Sequence, residues 1–295
     1  MKIDLVEVSP RDGLQNEPIF LSTEHKLELI KKLAAAGLRR IEATACVSPR
    51  QVPQMADHVE VLAGLPPEHQ TTYSALVANA RGLQTALAAK TVGAISVFTA
   101  ASEEFVQHNI QCGIDESLAR FAPLIMQAKA EGLPTRGYIS TVVVCPYQGA
   151  IAPAAVARVA AKLSEMGCDE LSLGDTIGAG TPRTIRPMMR AVKEAAPKAK
   201  LAAHFHDTFG FALANIVCAL EEGATVIDAS VGGLGGCPFA PGAGGNVATE
   251  DVVCFLAKEG VSTGADIEQL WMIGEWVSAL LSRPYTVKSA PARRR

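Results

Sequence analysis

The stretch Lys200-Leu201-Ala202-Ala203-His204-Phe205-His206-Asp207-Thr208 decides how this chain is read. It begins as a short apolar run, as a buried strand does, and passes directly into Phe209-Gly210. Side chains alternate faces along a strand, so His204 and His206 project the same way, roughly 6–7 Å apart. Two neutral imidazoles on one face are half of a metal site. Equally, one of them could be an ordinary core histidine. What the rest of the chain brings to the same place decides between the two.

Seven further runs have strand character: Ile3–Val8, Arg40–Ala43, Thr72–Val77, Ala94–Phe98, Gly137–Val144, Glu170–Leu173 and Val226–Ser230. Helix punctuation separates them. Ser22-Thr23 precedes Glu24–Ala36, which Gly37 ends; Asp115 precedes Glu116–Glu131, which Gly132 ends. Pro153 opens a segment closed by Gly167, Thr181-Pro182 opens the next, Gly223 ends Ala212–Glu222, and Thr249-Glu250-Asp251 opens one more. Eight strand–helix repeats in 295 residues predict an α/β fold, a closed (β/α)₈ TIM barrel, as one domain spanning 1–295. An open doubly wound sheet is the alternative. It would bring a glycine-rich βα turn near the N-terminus, and neither that nor a P-loop is present. From Gly264 onward, Trp271, Trp276 and a helical apolar stripe suggest extra C-terminal helix over the barrel or at a subunit contact. Residues 286–295 are expected to form a disordered tail.

A net charge of −3 leaves no basic footprint for nucleic acid. No apolar run approaches the ~18 residues of a membrane span, and no hydrophobic signal core follows Met1. The seven cysteines are odd in number and irregularly spaced, which argues for reduced thiols and a cytoplasmic location.

In barrels of this kind the chemistry sits at the carboxyl ends of the strands. Ser9-Pro10-Arg11-Asp12-Gly13-Leu14-Gln15-Asn16-Glu17 follows the first strand, and Glu42 the second. Gly174-Asp175-Thr176 follows the sixth. The seventh ends in the histidine pair, and the eighth leads into the glycine-rich segment from Val231 through Cys237 to Asn246. Singly, each has a plain explanation: a surface ion pair, a helix cap, a flexible loop. Together they converge on one face at five of eight strand ends. Asp12, His204, His206 and, more loosely, Asn246 then form a ligand set of carboxylate, imidazole and amide oxygen. Such a set suits Mg²⁺, Mn²⁺ or Zn²⁺. Arg11 beside it could hold a carboxylate or a developing enolate oxygen. That combination suits making or breaking a carbon–carbon bond next to a carbonyl, with the divalent ion as Lewis acid.

These residues also carry a resemblance. Arg11–Glu17, Val47-Ser48-Pro49 with Val52-Pro53-Gln54-Met55, Cys145-Pro146-Tyr147, Ser172–Gly178, His204–Thr208 and Gly233–Phe239 resemble the 3-hydroxy-3-methylglutaryl-CoA (HMG-CoA) lyases, a branch of the metal-dependent lyase and synthase barrels. The similarity runs from residue 2 to about 285 in the same order. The glycine–cysteine loop marks the lyase branch; the related synthases usually carry an additional C-terminal region.

The resemblance implies a divalent metal, Mg²⁺ before Mn²⁺, held by Asp12, His204 and His206 with Asn246 close by. It implies Arg11 on a thioester enolate, Cys237 as acid/base participant on a closing loop, and Glu42 among the catalytic residues. Asp175 and Glu7 are read as supporting carboxylates. Gln15 and Tyr138 would lie near the acyl group, and Asn109 is a candidate CoA contact. The implied partners are an acyl-CoA substrate and a second copy of the chain in a homodimer. Pro18, Ala43-Thr44-Ala45 and Phe209-Gly210-Phe211 depart from the family's usual residues, in places that bear on the acyl group and CoA. The expected reaction is cleavage of (S)-HMG-CoA to acetoacetate and acetyl-CoA, as in leucine degradation. The candidate bases are Asp12, His204 and hydroxide at the ion. The alternatives are a lyase for a related 3-hydroxyacyl-CoA, a Claisen-type synthase, and a non-catalytic barrel.

Overall fold

The computed structural model describes residues 3–67, 70–236 and 245–291. Ten strands occur among them: β1 (Asp4–Glu7), β2 (Arg40–Cys46), β3 (Thr72–Val77), β4 (Val92–Ala100), β5 (Thr135–Ser140), β6 (Val144–Cys145), β7 (Gly149–Ala150), β8 (Glu170–Asp175), β9 (Lys200–Phe205) and β10 (Val226–Ala229). Eight close into a barrel in the order β1-β10-β9-β8-β5-β4-β3-β2, every neighbouring pair parallel. The predicted (β/α)₈ barrel is the fold. β6 and β7 form a separate antiparallel hairpin.

The connecting helices are α1 (Thr23–Ala35), α2 (His58–Gly64), α3 (Ala80–Ala88), α4 (Glu103–Ile110), α5 (Ile114–Ala130), α6 (Pro153–Glu165), α7 (Pro182–Ala195), α8 (Ala212–Glu221), α9 (Thr249–Lys258) and α10 (Ile267–Leu280). Their starts follow local chemistry. The Ser22 hydroxyl accepts from the His25 amide, and Thr181 and Thr184 form a reciprocal capping box ahead of Pro182. The main hydrophobic core lies between the strands and this ring of helices. Inside the barrel a small cluster of Val6, Val8, Ala202 and Val226 stands apart from it. His204 lies on the same face of β9 as Ala202, two residues nearer the carboxyl end. Its strand neighbour in register is Asp228 on β10.

Three expectations need correction. The second strand runs on to Cys46, so Glu42 lies within it, fully buried, rather than at its end. The fifth stops at Ser140 because Thr141 adopts a left-handed backbone (φ 56°), which turns the chain out of the barrel. Residues 286–291 are not a free tail: Val287 and Ala290 pack against Ala248 and Trp271, and the Lys288 and Ser289 amides donate to the Asp251 carboxylate. Residues 292–295 lie outside the described residues. Helix α10 packs on α1 and α9, with Lys32 over the Trp276 ring at 5.2 Å. No helix among the described residues is long and apolar enough to cross a membrane.

Candidate active site

The loop after β1 makes a tight turn over Ser9–Gly13, which sets Arg11 and Asp12 over the barrel mouth. There Asp12 meets His204 and His206, and one ligand atom from each lies within 4.8 Å of the others. The His204 Nε2–Asp12 Oδ2 distance is 3.8 Å. Asn246 reaches the cluster from the far side of the glycine-rich segment, through an isolated bridge to His206. Its Nδ2 donates to Asp12 Oδ2 at 2.8 Å and to the Leu234 carbonyl at 3.2 Å. The sequence-predicted ligands are therefore brought together.

Two atoms are left over. His206 Nδ1 and Asn246 Oδ1 are buried and have no hydrogen-bond partner among the described residues. Buried polar atoms rarely go unpaired. Orphaned nitrogen and amide oxygen, beside an anionic carboxylate, fit a divalent cation. The electrostatics agree. Burial alone would raise the Asp12 carboxyl, but Arg11 and the two imidazoles outweigh it and hold the group at about 2. Burial, reinforced by His204, pushes His206 down to about 4, so its ring is neutral with a lone pair to offer.

Arg11 is locked. Its Nε donates to Glu42 Oε2 at 2.5 Å and its Nη1 to Asp12 Oδ1 at 2.6 Å, and its guanidinium stands 5.1 Å from the Tyr138 ring centroid. Glu42 in turn accepts from the Ser96 hydroxyl and, at 3.1 Å, from the Tyr138 hydroxyl. Glu42 thus faces Arg11 rather than the open cavity, a consequence of its depth in β2.

A cavity of about 420 Å³ opens beside the cluster. Arg11, Asp12, His204 and His206 line it, together with the expected Gln15, Tyr138 and Asn109. Ser140 and Thr176 add hydroxyls that the sequence reading did not single out. Of the departing residues, Ala45 lines the cavity; Ala43 is buried in the core and Phe211 is exposed at the start of α8. Gly236 also lines it and accepts from Asn16 Nδ2 at 3.3 Å. Cys237 lies outside the described residues.

The supporting carboxylates do different jobs. Glu7 accepts from the amides of Ser9 and Val231 at 2.9 and 3.0 Å and from the Thr249 hydroxyl at 2.6 Å, joining the loop after β1 to the one after β10. Asp175 accepts from the Gly180 amide at 2.8 Å and organises its own loop; burial raises it to about 6. Asp207 accepts from the Ala212 amide at the start of α8, and its second oxygen pairs with Lys288. Glu250, which the sequence reading passed over as a helix opener, accepts from the Gly232 amide at 2.9 and 3.0 Å and from the Tyr285 hydroxyl at 3.1 Å.

Sequence reasoning also missed Arg136, Ser172 and Asp228 inside the barrel. Arg136 Nη2 donates to Asp228 Oδ1 at 2.5 Å, and Asp228 Oδ2 accepts from Ser172 at 2.7 Å and lies 3.0 Å from His204 Nδ1. The available signal was a charged residue within an apolar strand, as at Asp228 in Val226–Ser230.

Known proteins resemble this chain along nearly its whole length. Residues 2–277 match the HMGL-like family model. A Bos taurus protein, hydroxymethylglutaryl-CoA lyase, mitochondrial, is 50% identical, covering 99% of this chain and 89% of its own length. A Rattus norvegicus protein, 3-hydroxy-3-methylglutaryl-CoA lyase, cytoplasmic, is 47% identical, with 98% and 84% covered. The crystal structure of HMG-CoA lyase from Brucella melitensis superposes with a TM-score of 0.93 at 50% identity, covering 95% of this chain and 99% of that one. With identity at this level along nearly its whole length, on the same barrel, the chain belongs to the HMGL-like family.

Proposed function

We propose that this protein is a divalent-metal-dependent carbon–carbon lyase that cleaves (S)-HMG-CoA to acetoacetate and acetyl-CoA. The observation that carries this reading is the placement of a doubly held guanidinium, Arg11, directly beside the Asp12–His204–His206 cluster on the wall of one cavity. Asp12, His204, His206 and Asn246 would hold the ion. When bound, a divalent ion supplies Lewis-acid polarisation of the substrate's hydroxyl and carboxylate oxygens. Asp12 accepts the proton of the tertiary hydroxyl. The bond between the carbinol carbon and the carbon α to the thioester then breaks. Its electron pair passes to the thioester as an enolate, and the hydroxyl carbon becomes the ketone of acetoacetate. Arg11 holds the enolate oxygen, and Glu42 keeps Arg11 in place. Cys237 returns a proton to the enolate carbon, giving acetyl-CoA. Gln15, Tyr138 and Asn109 are proposed as substrate contacts because they line the cavity.

Oxygen donors beside two imidazoles favour Mg²⁺, with Mn²⁺ the next candidate. Six cysteines are free among the described residues, which supports a reducing, cytoplasmic setting. A homodimer is proposed on the family resemblance. The test is product release from purified protein with Mg²⁺, with and without prior EDTA, alongside citramalyl-CoA and branched hydroxyacyl-CoAs. Acetoacetate and acetyl-CoA in equal amounts, abolished by EDTA and restored by Mg²⁺, is the expected result. Turnover that survives EDTA removes the metal. A strong preference for another hydroxyacyl-CoA moves the acyl assignment, for which Ala45 in the cavity wall leaves room.

A further inference from the structure

A line of charged side chains, buried from Glu170 onward, runs up the inside of the barrel and ends on the imidazole of His204. Arg40 pairs with Glu170 through two contacts of 2.9 Å, and Glu170 Oε1 lies 2.9 Å from Arg136 Nε. Arg136 reaches Asp228, and Asp228 reaches His204. The steps proposed above leave Asp228 without a task, yet it is 1% exposed and bonded to Arg136, Ser172 and His204.

We infer that Asp228, clamped by Arg136 and Ser172, is a positioning residue that takes the Nδ1 proton of His204 and so leaves Nε2 as the nitrogen turned toward Asp12 and the ion. The His204 ring sits between two carboxylates, and a carboxylate only accepts. Oδ2 of Asp228 is 3.0 Å from Nδ1, a hydrogen-bond distance, whereas Oδ2 of Asp12 is 3.8 Å from Nε2, which is too long for one. A neutral ring has one proton. Placed on Nε2, it would leave the Nδ1 lone pair pressed against a buried anionic oxygen; placed on Nδ1, it makes the bond. The contact is set by strand register rather than by a loop, because Asp228 and His204 are paired neighbours on β10 and β9. Arg136 cannot readily swing away. It is 6% exposed, and its Nη1 also donates to the Tyr138 hydroxyl at 3.1 Å, the same hydroxyl that bonds Glu42 beneath Arg11. One buried guanidinium therefore braces both the imidazole and, through Tyr138 and Glu42, the arginine of the site. A carboxylate behind a ligating histidine fixes its tautomer and orientation and raises its basicity as a ligand.

This inference rests on the reading of His204 as a metal ligand, and its test separates the two. In metal-free wild-type protein, ¹⁵N-histidine NMR at a pH where the ring is neutral reads the His204 tautomer directly. The Nδ1–H form is expected, and the Nε2–H form would overturn the inference. That measurement needs no substitution, so it stands if a variant does not fold. In Asp228→Asn, Mn²⁺ affinity measured by EPR should fall about 10- to 100-fold while the far-UV circular dichroism stays that of the barrel. Unchanged affinity in the folded variant overturns the positioning role. Failure of the wild type to bind Mn²⁺ overturns instead the metal reading on which it rests.

Discussion

Replacing Arg11 tests the proposed chemistry most directly. Nε and Nη1 are committed to Glu42 and Asp12 at 2.5 and 2.6 Å, which leaves Nη2 as the arm for a substrate oxygen. In Arg11→Lys the charge survives but the fork does not. A single ammonium cannot bond Glu42, Asp12 and an enolate at once. One donor lost from a developing oxyanion costs about 2.7–4 kcal/mol, or roughly 10²- to 10³-fold in kcat. Arg11→Ala removes the charge as well and should reach roughly 10⁴-fold or more. It also leaves Glu42 buried with only Ser96 and Tyr138 as side-chain partners among the described residues, and breaking a buried pair in this way destabilises by about 3–5 kcal/mol. The assay is steady-state acetyl-CoA release at saturating metal, with the melting temperature followed in parallel. Because the guanidinium is assigned to the enolate, kcat should carry the loss and KM should change little. A folded Arg11→Ala protein with kcat within tenfold of wild type would refute the role. A rise in KM alone would reduce it to ground-state binding.

Three other outcomes are expected. Cys237→Ala should lower kcat by several orders of magnitude while leaving Mn²⁺ affinity unchanged, since the thiol is assigned to proton return and not to the ion. Burial raises Glu250 to about 8, and a carboxyl raised in the folded state makes stability fall as pH rises from its ordinary 4.5 through 8; in metal-free protein that component is on the order of 5 kcal/mol, and Glu250→Gln should flatten the dependence, whereas an unchanged slope would exclude Glu250 as its source. An alanine at a helix interior normally gains about 1 kcal/mol over glycine, but in Gly274→Ala the new methyl meets Glu250 Oε1 and stands 2.6 Å from the Tyr285 ring, so chemical denaturation should show a loss of about 2 kcal/mol instead.

The eight-strand repeat was legible because buried parallel strands leave short apolar runs and helix ends leave capping residues, both local signals. The candidate ligand cluster was legible for a related reason. His204 and His206 share a face by strand alternation, and Arg11-Asp12 directly follows a strand, so chemistry and position coincide in the text. Glu42 was recognised but placed too near the surface, because Ala43-Thr44-Ala45-Cys46 is small and mixed and gives no sign of where β2 ends. Asp228 and Arg136 were passed over, since a single charge in a strand reads as an interruption until its partner, 92 residues away, is seen beside it.

Sequence by itself determined the barrel, the candidate ligand residues and the family resemblance, all of which rest on periodicity and on residue identity at fixed spacing. Only the tertiary structure decided which carboxylate serves the cluster and which serves the scaffold. Asp12 faces the imidazoles, Asp175 and Asp207 hold their own loops, Glu7 and Glu250 pin the base of the glycine-rich segment, and Asp228 stands behind His204. The physical reason is that a carboxylate's role is set by burial and by which donors surround it. In this barrel those donors come from strands and loops remote in the chain.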